Sequence, residues 1–214
     1  MKGSKSSLRV VFSILVACPV ISAVAADSGF YVGTDVGRSS YPRQGHVTLE
    51  FPGDTLTSSD LHTHDFAVRL EGGYRFNRYF AADVSYVNFG KVTGQLNSVS
   101  DNVSGQGRFD YCISGATFGL VGTLPFGKWE AFARLDYLVA RVRLSSSAQT
   151  GIGSFTYRAS ERSTAALKGL GLRYNFTDHY SVKLEIEHAG PVGKTHEAGR
   201  AAVNAPLLGF DYRF

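Results

Sequence analysis

Apolar and charged side chains alternate with a period of two along most of this chain, and that alternation limits its possible folds more than any other feature. Successive side chains of a β-strand point to opposite faces, whereas a helix would repeat its apolar positions every three to four residues. Eight segments follow the two-residue period: 29–37, 65–76, 79–86, 109–124, 129–139, 165–176, 180–188 and 209–214. The sequence therefore predicts an all-β protein with an even number of strands.

The connections between these segments alternate in length. The short ones are 77–78, 125–128 and 177–179. The long ones are rich in Ser, Gly, Thr and Asn: 40–63, 90–107, 145–163 and 189–204. Tight turns at one end and long loops at the other are typical of an antiparallel up-and-down barrel. These ends are named the turn end and the loop end below.

Two segments fit the alternation less well. The first half of 109–124 suits either phase, which predicts a β-bulge in this strand. In 165–176, Lys168 falls on the apolar face, which indicates either a local register change or a position near the edge of a membrane.

Three features predict that the apolar face points outwards, into lipid. Small residues recur among the charged ones, as a narrow lumen requires: Gly33, Gly37, Gly73, Ala81 and Gly171. Aromatic residues mark the turn-end limit of the apolar face, as in an interfacial girdle: Phe30, Phe76, Phe80, Trp129, Phe176, Tyr180 and Phe214. Each apolar run also has about the 9–11 residues that a tilted strand needs to cross a bilayer. The predicted fold is an eight-stranded antiparallel up-and-down transmembrane β-barrel.

The chain ends within a strand, GFDYRF (209–214). We expect this strand to pair with the first one, because an open sheet edge in hydrocarbon would leave backbone hydrogen-bonding groups unsatisfied. Phe214 would then lie at the turn-end rim of the barrel.

Residues 1–26 differ in composition from the rest of the chain. A basic segment without acids precedes an apolar tract that ends in small residues, which is the pattern of a secretory signal peptide. Cleavage after Ala26, or alternatively after Ala25, would leave the barrel domain, residues 27–214. A lipoprotein signal with lipidation at Cys18 is the other alternative.

The basic charge of the chain belongs largely to that segment. Its removal takes three of the 22 basic residues away and leaves 19 against 18 acidic ones. A nearly neutral chain offers no electrostatic argument for binding nucleic acid. Cys112 would be the only remaining cysteine, so no intramolecular disulfide is expected.

These segments resemble the OmpA-like family of outer-membrane barrels, the eight-stranded type that includes opacity-like surface proteins. The matching stretches are GFYVGTDVG, LEGGYRFNRYFAADVSY, VGTLPFGKWEAFARLDYLVAR, GLGLRYNFTDHYSVKLEIEH and GFDYRF. The resemblance implies an outer-membrane location with both barrel termini in the periplasm. It also implies a C-terminal signal read by the outer-membrane assembly machinery, formed by Phe210, Tyr212 and Phe214. The peptidoglycan-binding domain that many family members carry is expected to be absent.

The resemblance further implies ion pairs that plug the lumen. By motif, Glu71, Arg134 and the pair Lys183 and Glu185 take charged positions of the family, whereas Val121 and Arg173 depart from its pattern. Together with the alternation, this predicts a lumen network: Arg69, Glu71, Asp83, Arg134, Asp136, Arg173, Lys183 and Glu185. Because unpaired buried charges are costly, the near balance of signs favours a packed polar lumen over an open pore.

A structural or surface-interaction role through the loops is therefore expected, with a small-solute channel or hydrophobic-compound carrier as the alternative. The expected partners are outer-membrane lipid, lipopolysaccharide and host or cell-surface molecules. We expect no enzyme, because His188 lacks the nearby Ser that an outer-membrane lipid A deacylase uses. No cofactor or metal is expected either, and His62 and His64 are interpreted as solvated loop residues.

Overall fold

The barrel is described by a computed structural model of residues 28–41, 48–51, 54–98, 106–150, 153–193 and 201–214. The predicted signal peptide and the lipidation alternative at Cys18 lie outside the described residues. The strands are β1 (Gly29–Ser40), β2 (Thr48–Phe51), β3 (Asp54–His62), β4 (His64–Arg75), β5 (Phe80–Ser98), β6 (Gln106–Phe126), β7 (Trp129–Thr150), β8 (Gly153–Asn175), β9 (Tyr180–Val192) and β10 (Ala201–Arg213). No helix within these ranges is long and apolar enough to span a membrane.

Eight of the strands form a closed antiparallel barrel. The order around it is β5, β4, β1, β10, β9, β8, β7 and β6, and pairing between β5 and β6 closes the sheet. The last strand pairs with the first, with Val32 opposite Tyr212 and Asp35 opposite Gly209. The predicted fold class and the closing role of the C-terminal strand are therefore confirmed.

Side-chain chemistry fixes the tight turns at one end of the barrel. The Asn77 side chain accepts hydrogen bonds from the backbone N–H groups of Tyr79 and Phe80 at 2.8 and 3.0 Å. The Thr177 hydroxyl accepts hydrogen bonds from the backbone N–H groups of His179 and Tyr180 in the same way. In the turn between β6 and β7, Gly127 takes a φ of 69°, which a residue without a Cβ adopts at no steric cost. Polar residues after each apolar strand thus reverse the chain within two to four residues.

The barrel is inverted relative to a soluble protein. Along β7, for example, Arg134 is 3% exposed while its neighbour Leu135 is 59% exposed. Aromatic side chains pack against each other around the turn end, as between Trp129 and Tyr174, whose ring centroids are 4.8 Å apart. The outward apolar belt and the inward charges agree with the predicted orientation of the two faces.

The predicted bulge lies on a different strand. β6 pairs with β7 in continuous register, whereas Phe89 and Gly90 of β5 together face one residue of β6 between Cys112 and Ser114. Gly90 has a φ of 70°, and the Asp65 carboxylate accepts a hydrogen bond from the next N–H group, that of Lys91, at 2.7 Å. The first half of β6 suited either phase because its inward and its outward residues both include apolar ones.

Lys168 keeps the regular register and points outwards, directly opposite Leu135. No register change occurs there. It lies eight residues from Phe176 at the turn end, which corresponds to about 20 Å across the membrane for a strand tilted by roughly 40°. From that level the long stem can extend the ammonium group towards the membrane edge.

The strands continue well into the predicted loops. β7 and β8 fill most of 145–163, and β5 and β6 fill most of 90–107. The first predicted loop contains an extra hairpin, β2 and β3, and β3 pairs with the extended part of β5. Ser- and Gly-rich composition suggested loops, but polar residues on both faces of a strand are acceptable once it leaves the apolar belt.

Candidate functional site

The centre of the lumen is organised by Arg134, which is fully buried on β7. Its guanidinium group lies 2.7 Å from Glu71 of β4 and 2.9 Å from Asp83 of β5. Its Nε lies 3.1 Å from Glu185 of β9. One cation therefore joins acids from three other strands of the barrel wall, a use for which the rigid, five-donor guanidinium is suited.

Two further cations hold the neighbouring acids. Arg69 contacts Asp136 at 2.6 Å and Glu71 at 3.3 Å, and it also pairs with Glu187. Lys183 lies 3.1 Å from both Asp35 and Asp211 and also pairs with Glu71. Glu71 thus connects all three central cations into one network.

A second layer of ion pairs lies nearer the turn end and surrounds Glu130. Arg173 contacts Glu130 at 3.1 Å and Asp211 at 3.0 Å, so it joins this layer to the central one. Arg75 lies 3.1 Å from Glu130, and Arg213 reaches it only at 3.9 Å. Together the two layers form what is named here the ionic plug.

All eight residues predicted for the lumen network lie inside the barrel, and the structure brings them together in the ionic plug. Six other members faced inwards in the sequence pattern but were not included in the predicted network: Asp35, Arg75, Glu130, Glu187, Asp211 and Arg213. Each of them occupies an inward position of the two-residue period in its strand, and this position could have identified it as a member of the network.

Small residues make the space that the ionic plug occupies. A Cβ added to Gly209 would meet the side chains of Asp35 and Lys183, and one added to Gly33 would meet Asp211 and Glu71. The predicted role of small residues between large ones in a narrow lumen therefore has a direct steric cause.

The two residues that depart from the family pattern, Val121 and Arg173, both lie next to Phe132 in the lumen. Val121 is buried in a small apolar cluster with Tyr31, Ala81 and Phe132. The guanidinium carbon of Arg173 lies 5.1 Å from the ring centroid of Phe132, a cation–π contact, while its nitrogens pair with Glu130 and Asp211.

The loop-end half of the lumen is largely apolar, although the buried Glu161 also faces inwards there, and this corrects the prediction of a polar lumen throughout. Its buried hydrophobic residues form one cluster, named the apolar plug: Tyr41, Ala67, Val87, Phe89, Val92, Phe109, Tyr111, Ile113, Leu138, Ala140, Val142, Leu167, Ala189, Val192, Ala201, Val203, Ala205 and Leu207. The Tyr41 hydroxyl donates to the Phe89 carbonyl at 3.1 Å and so satisfies its own polar atom. Strand extensions beyond the ionic plug thus enclose an ordinary hydrophobic core.

The turn end of the lumen holds only a small cavity between the described residues. The cavity at the turn end, lined by Tyr31, Arg75 and Arg173 among others, measures about 10 Å³. That is about the space of a single water molecule. The acids of the ionic plug are held by cations and are largely closed off from solvent.

The three residues of the predicted C-terminal signal alternate on the outer face of β10. Phe214 is 66% exposed, and its N–H group donates to the Phe30 carbonyl at 3.0 Å. Its ring packs edge-on against Tyr212, with the centroids 5.0 Å apart. These aromatics lie on the outside of the turn-end rim.

A closed barrel with an apolar belt outside and ion pairs inside defines a transmembrane β-barrel of the outer-membrane type. Residues 25–214 match the OmpA-like transmembrane domain, and the chain belongs to that family of outer-membrane proteins. An uncharacterized protein of Haemophilus influenzae is 25% identical over 170 residues, which cover 78% of this chain and 82% of that protein.

Solved structures similar to this chain are also outer-membrane barrels. Neisserial surface protein A (NspA) is 12% identical, with 87% of this chain and 99% of NspA covered and a TM-score of 0.48. OprG from Pseudomonas aeruginosa is 12% identical, with 88% of this chain and 97% of OprG covered and a TM-score of 0.46.

Proposed function

We propose that this protein is a closed outer-membrane barrel whose role is structural and interactive, carried by the part that projects beyond the membrane at the loop end. The observation that carries this proposal is that side chains fill the lumen twice, with the ionic plug and with the apolar plug. A barrel closed in two places serves as a rigid anchor for what it displays.

On β7 the projecting part is about as tall as the membrane-spanning part. β7 continues for eleven residues after Val139, the last apolar residue of its outward belt, which corresponds to roughly 25–30 Å for a strand tilted by about 40°. Its outward side chains there are Arg and Ser rather than apolar ones, as in Arg141, Arg143 and Ser145. Host molecules, neighbouring cells and lipopolysaccharide are the partners that such a surface would meet.

We infer that the turn end faces the periplasm and the loop end faces the cell exterior. Short turns on the periplasmic side and longer outer connections are the usual arrangement of such barrels. An epitope inserted between Thr150 and Gly153 should bind antibody on intact cells, whereas the same epitope placed after Gly127 should bind only after the outer membrane is permeabilised. The reverse pattern would contradict the orientation.

The channel or carrier alternative has one feature in its favour, the apolar half of the lumen. That half is filled by side chains such as Leu138 and Leu167, both 0% exposed, so a hydrophobic compound would have to displace them. An enzymatic role finds no support at His188, which points outwards and contacts the Asn204 side chain at 2.6 Å. We therefore propose a non-enzymatic, non-conducting barrel.

Planar-bilayer recording tests the closed lumen directly. Protein purified from outer membranes should show no unitary conductance at any applied voltage, with a water-filled porin as the positive control. Reproducible single-channel openings from the folded protein would refute the closed-lumen proposal in favour of the channel.

A further inference from the structure

One side of the barrel carries a concentration of outward-facing basic residues just beyond the apolar belt. It is formed by strands β5 to β8 and is named the cationic face: Lys91, Arg141, Arg143, Arg158 and Arg162. The opposite side, formed by β1, β4, β9 and β10, has one arginine, Arg38, among its described outward residues at the corresponding level. The positive charge is therefore localised to one face.

Strand register brings like charges together on this face. Arg141 of β7 lies directly opposite Arg162 of β8. Arg143 is two residues further along the same face of β7, and Arg158 pairs with Ser145 in the following outward row. Like charges directly opposite each other destabilise a sheet, so this pairing needs a counter-charge to be favourable.

The described residues do not supply that counter-charge. No hydrogen bond or salt bridge joins Arg141, Arg143 or Arg162 to another residue within the described ranges. Among the outward residues, the acid nearest in register is Asp110 of β6, which lies 3.5 Å from Arg108 and accepts a hydrogen bond from Thr93 at 3.1 Å. Among the described residues no acid pairs with these arginines, which leaves a place for an anion from the surroundings.

The height of the cationic face indicates which anion is available. From Trp129 to Val139 the outward residues of β7 are apolar, a distance of about 25 Å across the membrane for a strand tilted by roughly 40°. This is the height of the apolar belt of such barrels, so Arg141 is the first outward residue above the hydrocarbon. Lipid phosphate groups lie at that level.

We propose that the cationic face binds the phosphate groups of a phosphorylated glycolipid of the outer leaflet, the lipid A part of lipopolysaccharide. Four of its five cations are arginines. The planar guanidinium group of an arginine can donate two parallel hydrogen bonds to one phosphate, whereas a lysine ammonium group cannot. The outer-leaflet assignment rests on the orientation proposed above; the phosphate site itself does not.

Binding of lipid A to the detergent-solubilised protein tests the proposal, with the number of bound lipids counted by native mass spectrometry. Bisphosphorylated lipid A should bind with an affinity that falls with salt, and its dephosphorylated form should bind at least tenfold more weakly. The double variant Arg141→Gln and Arg162→Gln should lose roughly tenfold or more in affinity, whereas Arg38→Gln on the opposite side should change it less than about twofold. Inorganic phosphate should compete only weakly, because it lacks the membrane anchor.

A stability measurement separates a ligand site from a merely structural role. In phosphatidylcholine nanodiscs without lipid A, the double variant should be as stable as the wild type or more stable, because a like-charge pair has been removed. In nanodiscs that contain lipid A, the wild type should gain stability and the double variant should not. Equal lipid A binding by the double variant, or equal binding of dephosphorylated lipid A, would overturn the proposal. Neither assay depends on orientation, so a reversed epitope pattern in cells would remove the outer-leaflet assignment alone.

Discussion

Replacement of Arg134 by methionine tests whether the ionic plug holds the barrel together. Methionine keeps much of the side-chain length and removes the charge and all five donors. Three acids lie within 3.1 Å of the Arg134 guanidinium group: Glu71, Asp83 and Glu185. The consequences for these three acids differ, and that difference sets the expected magnitude.

Glu71 keeps two cations after the replacement, because Arg69 and Lys183 both remain in contact with it. Asp83 and Glu185 each lose the only cation that pairs with them among the described residues. Removal of one partner from a buried ion pair costs about 3–5 kcal/mol, because a charge is left buried and uncompensated. We expect Arg134→Met to lower the free energy of unfolding by at least that amount.

Urea unfolding of the protein in lipid vesicles measures this loss. Trp129 is the single tryptophan of the sequence and lies on the outer face at the turn-end rim, so its fluorescence reports the transfer from lipid to water. Arg213→Met is the matched control, because Arg213 is partly exposed and reaches Glu130 only at 3.9 Å; its cost should stay below about 1 kcal/mol. Adding Asp83→Asn to Arg134→Met should restore part of the loss. If Arg134→Met unfolded at the same urea concentration as the control, the ionic plug would not be a source of stability.

Three further expectations concern the apolar plug, the glycines and the C-terminus. Phe89→Ala should lower the free energy of unfolding by about 3–5 kcal/mol in the same titration and leave bilayer conductance at zero, since the ionic plug still closes the lumen; channel openings would contradict this. Gly209→Val should abolish folding, because its side chain would overlap charged lumen residues, whereas Gly122→Ala, with no atom near the added Cβ, should give wild-type yields of folded protein; similar yields for both would contradict the steric argument. Phe214→Ala should reduce assembly into the outer membrane of cells but change the stability of the folded barrel by less than about 1 kcal/mol, because the ring is 66% exposed; a large stability loss would instead indicate a packing role.

The membrane-spanning half of the fold could be predicted because every strand there obeys one rule. Lipid outside requires apolar side chains and the lumen inside holds charged ones, so neighbouring residues such as Arg134 and Leu135 differ in polarity. The sequence therefore reveals where each strand lies and which of its faces points to lipid. The ion pairs themselves could not be assigned, because Arg134 meets acids from strands that are more than 45 residues away along the chain.

The loop-end half was harder to predict because that rule no longer applies there. Above the apolar belt the outside of the barrel is polar, while the lumen becomes hydrophobic, so Tyr111 and Ile113 point inwards next to outward polar residues such as Asp110. Within one strand, the apolar face is therefore the outer one in the membrane and the inner one beyond it. A bulge at Phe89 and Gly90 and Ser-rich strand extensions add to the ambiguity, since neither leaves a distinct period in the sequence.

The two plugs also specify register in different ways. A slip of one residue along any strand would put charges such as Lys183 into lipid, which the apolar belt forbids. A slip of two residues would keep every face correct, and only the specific ion pairs would oppose it, because Arg134 would then move by about 7 Å from its acids. Apolar side chains such as Leu138 and Leu167 are far more tolerant of such a shift, since one hydrophobic contact can replace another. The ionic plug is therefore the part of the lumen that selects one register for the closed barrel, and the apolar plug stabilises the extensions once that register is set.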